Sequence, residues 1–139
     1  MSQQVKDVMT ERPVTLDADA SLADAARLMR DRGIGDVIVV AGDNAEGIVT
    51  DRDIVIRAVA EGADPTRTAL REVASGDLAA VAPDDPVERA IELMRERAIR
   101  RLPVLESGKP VGVLSLGDLA VVRDRASVLA DISDEPPDR

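Results

Sequence analysis

The sequence predicts an α+β fold in which two tandem β-α-β-β-α units pack with pseudo-twofold symmetry. When the chain is shifted by 65 positions it aligns with itself without a gap, so that Val8 falls on Val73 and Asp53 on Asp118. Eleven aligned pairs are identical, whereas chance would give roughly four. Each copy also has the same succession of apolar periodicities and turn residues, which indicates one duplicated unit of helices and short strands.

Each unit begins with a short strand, at Val14-Thr15-Leu16 in the first copy and at Ala80-Val81 in the second. A helix follows. In the first copy Ser21 and Asp24 have the spacing of a capping box, and Gly33 suits a left-handed residue at the helix end.

In the second copy this helix begins with different residues. Asp85 is the predicted N-cap and Pro86 the first helical residue, because proline is favoured where no helical amide bond is needed. The helix is predicted to end near Arg97. Two short apolar runs joined by turn residues then predict a β-hairpin in each copy. The runs and turns are Val37–Val40, Gly42–Asn44 and Gly47–Val49 in the first copy, and Leu102–Leu105, Ser107–Pro110 and Val111–Leu114 in the second.

A second helix closes each unit. It runs from Asp51 to about Glu61 in the first copy, where Gly62 stops it, and from Leu116 to about Val128 in the second. Residues 62–66 are turn formers and predict a linker. The predicted division is therefore a first repeat over residues 1–65, a second over 66–128, and a disordered acidic tail over 129–139.

The composition narrows the classes of function. The formal charge is −9 and the chain contains no Phe, Tyr or Trp. An acidic chain without aromatic residues is a poor match for nucleic acid, which is bound through cationic surfaces and base stacking. Cys and His are also absent, which removes the usual nucleophile, general base and soft metal ligands. We expect no enzyme activity, no metal and no cofactor.

The length and hydropathy of the apolar runs predict no association with a membrane. No run is long enough to span a bilayer, and residues 1–6 do not have the pattern of a signal peptide. A cytoplasmic protein is therefore expected.

Two matched segments carry the candidate chemistry. Each has a hydroxyl where a strand becomes a helix and an aspartate three residues later, as Thr50 with Asp53 and as Ser115 with Asp118. One interpretation is a capping box in which the two side chains close the helix start. The other is a ligand site, since a helix N-terminus attracts phosphate and a carboxylate accepts hydrogen bonds from ribose hydroxyls. The two interpretations are compatible.

At these positions the chain resembles the CBS-domain pair, or Bateman module. The resemblance covers residues 5–124 and depends on several short motifs that occur in order in both copies. They are Asp7–Thr10 (DVMT), Ile34–Val40 (IGDVIVV), Gly47–Ile54 (GIVTDRDI), Arg100–Val104 (RRLPV) and Gly112–Leu119 (GVLSLGDL). The resemblance implies an α+β module with two clefts between its repeats. It also implies a stand-alone regulatory protein that binds AMP, ADP, ATP or S-adenosylmethionine, forms a homodimer and acts on an unknown effector protein.

The resemblance also implies roles for individual residues. Asp53 and Asp118 would hold ribose hydroxyls, and Thr50 and Ser115 would contact phosphate. The remaining residues of the implied clefts flank the base, lie at the mouth or differ in charge between the copies. They are Thr15, Gly35, Asp36, Val37, Arg52, Ala80, Arg100, Arg101, Leu102 and Pro103.

The two copies differ in charge around these clefts. Asp36 of the first copy corresponds to Arg101 of the second. We therefore expect unequal clefts, with the one beside Arg100 and Arg101 preferring the more highly charged nucleotide. The two arginines also fit a solvated or salt-bridging pair.

A different class of function stays open. In this second class the protein is a structural or protein-interaction dimer whose clefts are empty or degenerate. The motif allows this class because a capping box alone explains the presence of each hydroxyl and aspartate. Replacing Asp53 or Asp118 by Ala separates the two functions, since only a ligand site loses ligand-induced stabilisation.

Overall fold

The computed structural model describes residues 3–74 and 78–120, which form an α+β fold of two three-stranded sheets and their helices. The helices are α1 (Val5–Val8), α2 (Leu22–Arg32), α3 (Asp51–Asp53, continued by a π-helical segment Ile54–Val59), α4 (Val87–Arg97) and the start of α5 (116–120). The strands are β1 (Thr10–Glu11), β2 (Thr15–Asp17), β3 (Asp36–Ala41), β4 (Asn44–Thr50), β5 (Arg101–Glu106) and β6 (Lys109–Ser115). A 3₁₀ turn covers Leu70–Glu72.

Both predicted hairpins are confirmed. Strand β3 pairs antiparallel with β4, and β5 pairs antiparallel with β6. Equivalent residues end the two ladders, since Asp36 is the partner of Thr50 and Arg101 is the partner of Ser115. The duplicated sequence therefore forms the same hairpin twice.

The strand that opens each unit differs from its prediction. In the first copy it lies one residue further along, as β2, and pairs parallel with β3. In the second copy the predicted strand Ala80-Val81 is only a single parallel bridge from Val81 to Val104. The neighbouring residues 82–85 form a turn in which the Asp85 carboxylate accepts the Ala82 amide at 2.8 Å, so the extended backbone does not continue.

This turn also corrects the predicted start of α4. Pro86 is the N-cap and Val87 the first helical residue, one position later than predicted. The carboxylate of the predicted cap, Asp85, accepts the Ala82 amide and lies 3.9 Å from the Arg89 guanidinium of α4, and it does not cap the helix. By contrast α2 begins at the predicted N-cap, with the Ser21 hydroxyl accepting the Asp24 amide at 3.1 Å but without the return bond of a full capping box, and ends at a left-handed Gly33.

Helix α3 starts at the predicted residue but is not a regular α-helix. Residues 54–59 are π-helical, with the Ala60 amide bonded to the carbonyl of Val55, five residues back. The wider turn buries Ile54 and Ala58 and leaves Val55, Ile56 and Val59 more than half exposed. Apolar periodicity does not distinguish this turn from an α-helical one.

The two hydrophobic cores exchange their leading segments. Leu70 and Val73, which align with the start of the first copy, pack into the core formed by α2, β3 and α3. Val5 instead packs into the core of the second copy, and β1 pairs with β6. Each core is therefore completed by the leading segment of the neighbouring repeat. The predicted division of the chain at residues 65 and 66 stays a prediction.

The crossing of the N-terminal segment over β6 requires a glycine. A Cβ atom on Gly112 would lie 2.5 Å from the Met9 sulfur and 3.0 Å from the Thr10 carbonyl oxygen. The absence of a side chain therefore allows β1 to approach β6 closely. The predicted end of α5 and the predicted tail over 129–139 lie outside the described residues.

Candidate functional site

The structure contains both predicted capping boxes with matching geometry. The Thr50 hydroxyl accepts the Asp53 amide at 3.0 Å, and the Asp53 carboxylate accepts the Thr50 amide at 2.9 Å. In the second repeat Ser115 and Asp118 make the same two bonds at 3.0 and 2.9 Å. The capping interpretation of the sequence is therefore confirmed at both helix starts.

The capping bonds leave part of each side chain available to a ligand. The carboxylate of Asp118 uses only Oδ2, and its Oδ1 has no partner among the described residues. The Ser115 hydroxyl accepts a hydrogen bond and keeps its own hydrogen to donate. Both side chains are only partly buried. The same atoms can therefore close the helix and bind a diol or a phosphate.

The second capping box opens into a cleft between the repeats with a volume of about 200 Å³. Its wall combines apolar residues with the Ser115 hydroxyl, two carboxylates and two guanidinium groups. The lining residues are Thr10, Arg12, Pro13, Val14, Ile34, Asp36, Arg101, Val113, Ser115 and Asp118. Residues of both repeats contribute, as the sequence repeat predicts for a shared interface.

Asp36 and Arg101 form an ion pair within this cleft, with 3.1 Å between the Arg101 Nε and the Asp36 Oδ1. Since the two residues align with each other in the repeat, the pair lies at the axis that relates the two repeats. This contact confirms the salt-bridging interpretation of Arg101. It corrects the expected contrast between a negative and a positive cleft, because both charges line the same one.

The Asp36 carboxyl is only 8% exposed. Burial raises its pKa above the ordinary value of 3.8, the Arg101 guanidinium partly offsets this increase, and the carboxylate of Asp51 adds to it. The net rise means that the partner does not fully compensate for the lost hydration of the charged form.

The other predicted site residues occupy several different places. Gly35, Val37, Leu102 and Pro103 stand in or beside β3 and β5. Among them the side chains of Val37, Leu102 and Pro103 are buried, so a ligand would reach only their backbone. The Gly35 carbonyl accepts the Asp51 amide at 2.9 Å.

Four of the fourteen predicted site residues line the 200 Å³ cleft, namely Asp36, Arg101, Ser115 and Asp118, and ten do not; of these ten, four lie in separate places. Thr15 is exposed beside Pro13 and Lys109 in a separate depression near the hairpin turns. Arg100 lines an apolar cavity of about 510 Å³ next to α4 and α5. Arg52 is exposed on the first turn of α3, and Ala80 is half-buried ahead of the Val81 bridge.

Sequence reasoning missed most of the N-terminal wall of the cleft. Arg12, Pro13 and Val14 reach it because β1 crosses to the second sheet, and Arg12 adopts a left-handed conformation with φ of 59° just after that crossing. No local pattern marks a crossing between distant segments. The opposite charges at the aligned positions 36 and 101 were a usable signal for their contact.

Within residues 3–74 and 78–120 no group of acidic side chains has the arrangement of a metal site. The same part of the chain contains no helix that is both long and apolar enough to cross a membrane. The repeat equivalents of Thr10 and Arg12 are residues 75 and 77, which lie outside the described residues, so a cleft is described here only at the second capping box.

The chain belongs to the CBS-domain family. The model of the CBS domain matches it twice, over residues 5–59 and 70–124. The CBS domain-containing protein YhcV of Bacillus subtilis is 39% identical over 117 residues, which cover 84% of this chain and 83% of YhcV. The resemblance seen in the sequence motifs is thereby confirmed, and the fold is that of a CBS-domain pair.

Solved structures of CBS-domain proteins have the same architecture. The crystal structure of Hypoxic Response Protein I with two coordinated zinc ions gives a TM-score of 0.79 at 29% identity, covering 86% of this chain and 98% of the other. A hexameric CBS-CP12 protein from bloom-forming cyanobacteria gives a TM-score of 0.77 at 28% identity, with coverages of 96% and 90%. CBS-domain pairs of this kind are typically regulatory ligand-binding modules rather than catalysts.

Proposed function

We propose that this chain is a regulatory module that binds an adenosine-containing ligand, such as AMP, ADP, ATP or S-adenosylmethionine, between its repeats. The observation that carries the proposal is the composition of one cleft. Around Ser115 and Asp118 it brings together an apolar wall, a free carboxylate oxygen, a hydroxyl donor and two guanidinium groups. A base, a ribose and a phosphate need these partners.

Each chemical group of the ligand has a counterpart in the cleft. Val14, Ile34 and Val113 offer apolar contact to a base. The chain contains no aromatic residue on which the base could stack. The Oδ1 atom of Asp118 would accept from ribose hydroxyls. The Ser115 hydroxyl and the guanidinium of Arg12 would bind the phosphate.

Regulation requires that the ligand favour one arrangement of the protein over another, since a ligand with equal affinity for both shifts nothing. The cleft lies between the repeats, so a ligand there contacts both and can alter their relative position. We propose that this change is passed to an effector protein through a homodimer of the module.

The Hypoxic Response Protein I structure coordinates two zinc ions, but zinc is not the ligand that we propose here. This chain contains neither Cys nor His, which are the ligands that zinc prefers. The hexameric CBS-CP12 relative supports self-association in general and does not assign a particular assembly to this chain.

A thermal-shift panel with AMP, ADP, ATP, NADH and S-adenosylmethionine tests the proposal. An extrinsic dye is needed because the chain has no Trp or Tyr. At about 100 times its dissociation constant a ligand adds about 2.7 kcal/mol, or several degrees. Asp118→Asn keeps an oxygen for the cap but removes the charge that accepts from ribose, and should abolish most of the shift.

The matched control is Asp7→Asn. Asp7 makes the same capping contact, accepting the Gln4 amide at 3.0 Å, but lies outside the cleft. Its ligand-induced shift should equal that of the unmodified protein. If every ligand leaves the melting temperature unchanged, or if both variants lose the shift equally, the proposal is wrong.

The alternative is a structural or protein-interaction dimer with empty clefts. It is favoured by the apolar side chains of Val55, Ile56, Val59 and Leu116, each more than half exposed. Exposed apolar groups of this kind mark surfaces that bind other proteins. Under this alternative Val59→Asp would dissociate the assembly in light scattering, and no member of the ligand panel would stabilise the protein.

A further inference from the structure

The Asp36–Arg101 pair stands between the two capping boxes. Asp36 is the ladder partner of Thr50, and Arg101 is the ladder partner of Ser115. Each residue is also the repeat equivalent of the other, so the pair lies where the two repeats meet. A ligand phosphate at the Ser115 box therefore arrives next to this ion pair.

The charges of the cleft are balanced before any ligand binds. Arg12 and Arg101 supply two positive charges, and Asp36 and Asp118 supply two negative ones. The two arginines are not equally available. Arg12 is exposed and has no acidic partner among the described residues, whereas Arg101 is bound by Asp36 at 3.1 Å.

The ion pair joins the Arg101 Nε to Asp36, so the terminal NH groups can still donate to a phosphate, but the positive charge of Arg101 is already balanced by the Asp36 carboxylate. If Arg101 turned to the ligand, the Asp36 carboxylate would be left 8% exposed, without its cation and close to the carboxylate of Asp51. Leaving a buried charge without its partner is strongly unfavourable. The first phosphate of a ligand can pair with Arg12, but further phosphates lack a cation and approach Asp36.

We infer that Asp36 is a specificity-determining residue that limits the negative charge of the ligand in the Ser115 cleft. The cleft accepts adenosine ligands with one phosphate or none and discriminates against nucleoside di- and triphosphates. This inference rests on the proposed function. It reverses the expectation from sequence that the cleft beside Arg101 prefers the more highly charged nucleotide.

Calorimetric titration with AMP and ATP tests the inference in an Asp53→Asn background, which confines the measurement to the Ser115 cleft. AMP should bind at least about tenfold more tightly than ATP. Adding Asp36→Asn should raise the affinity for ATP by about tenfold and change that for AMP by less than about threefold. Asparagine has the size of aspartate and leaves the half-exposed Arg101 hydrated, so this variant should fold.

The matched control is Asp43→Asn. This substitution also removes a negative charge that faces a cation of the other repeat, since the Asp43 Oδ2 lies 3.9 Å from the Lys109 Nζ. Asp43 does not line the cleft. It should leave the ratio of AMP to ATP affinity unchanged. If ATP binds the background protein as tightly as AMP, or if Asp36→Asn and Asp43→Asn change the ratio equally, the inference is overturned while the proposed function stands. If neither nucleotide binds either protein, both are wrong.

Discussion

At the scale of single residues, the same atoms serve folding and binding. Asp118 and Ser115 close the start of α5 through bonds of 2.9 and 3.0 Å, and the atoms that remain point to no other described partner. A capping box is common, so the pattern in the sequence could not separate its two roles. Only the cleft that surrounds the box, with residues from both repeats, supports the binding role.

The buried Asp36 predicts an unusual dependence of stability on pH. Its folded pKa is raised above 3.8, so the folded protein holds this proton more tightly than the unfolded chain. The resulting stabilisation is complete below the unfolded pKa and is lost as the pH rises through the folded pKa. Relative to Asp36→Asn, the unmodified protein should therefore become more stable as the pH falls from 7 to about 4.

Denaturant unfolding of both proteins across that pH range measures this difference. Comparing the two proteins cancels the contributions of the other acidic groups. A stability difference that moves in the opposite direction on acidification would show that Arg101, rather than burial, dominates the environment of Asp36.

At the scale of secondary structure, local patterns predicted the hairpins and helix α2 correctly. Alternating apolar residues, turn glycines and a serine cap depend on neighbours a few positions away, and these interactions are visible in the sequence. The start of α4 was misplaced by one residue because the Asp85 carboxylate accepts the Ala82 amide of the preceding turn, a contact that the helix-start pattern does not reveal. The π-helical part of α3 was missed because its apolar spacing resembles that of an α-helix.

The contact between β1 and β6 gives a prediction for Gly112. Gly112→Ala places a methyl group against the Thr10 carbonyl and the Met9 sulfur, and overpacking of this kind costs about 1–3 kcal/mol. Chemical denaturation should show that loss.

Gly117→Ala is the control, because its methyl group would meet only the Ser115 hydroxyl at 3.6 Å. A helical alanine there should leave stability unchanged or raise it by up to about 1 kcal/mol. Equal effects of the two substitutions would argue against the tight crossing.

At the scale of the whole molecule, the repeats depend on each other for their cores. The repeat was evident from the sequence, but the exchange of leading segments was not, because the same apolar residues could pack on either copy. Val5 and Leu70 occupy aligned positions and lie in opposite cores. The Asp36–Arg101 contact was also missed, although the opposite charges at these aligned positions were a usable signal for it.

The exchange predicts that Leu70 stabilises the first core as strongly as a residue of the first repeat. Leu70 and Leu22 are both fully buried in that core. Leu70→Ala and Leu22→Ala should each lower the free energy of unfolding by about 2–5 kcal/mol. Hydrogen exchange should show that Leu70→Ala deprotects β3 and α2 before β5 and β6. Deprotection confined to the second repeat would contradict the exchange.

Binding of an adenosine ligand between the repeats, at the Ser115 and Asp118 capping box, can be measured directly. The most direct measurement is an amide chemical-shift titration of the isotopically labelled protein with AMP. Binding in this cleft should produce saturable shifts at Ile34 and Asp36 of the first repeat together with Ser115 and Asp118 of the second, and these shifts should be lost in Asp118→Asn. An absence of shifts, or shifts confined to the apolar cavity beside α4, would contradict binding in this cleft.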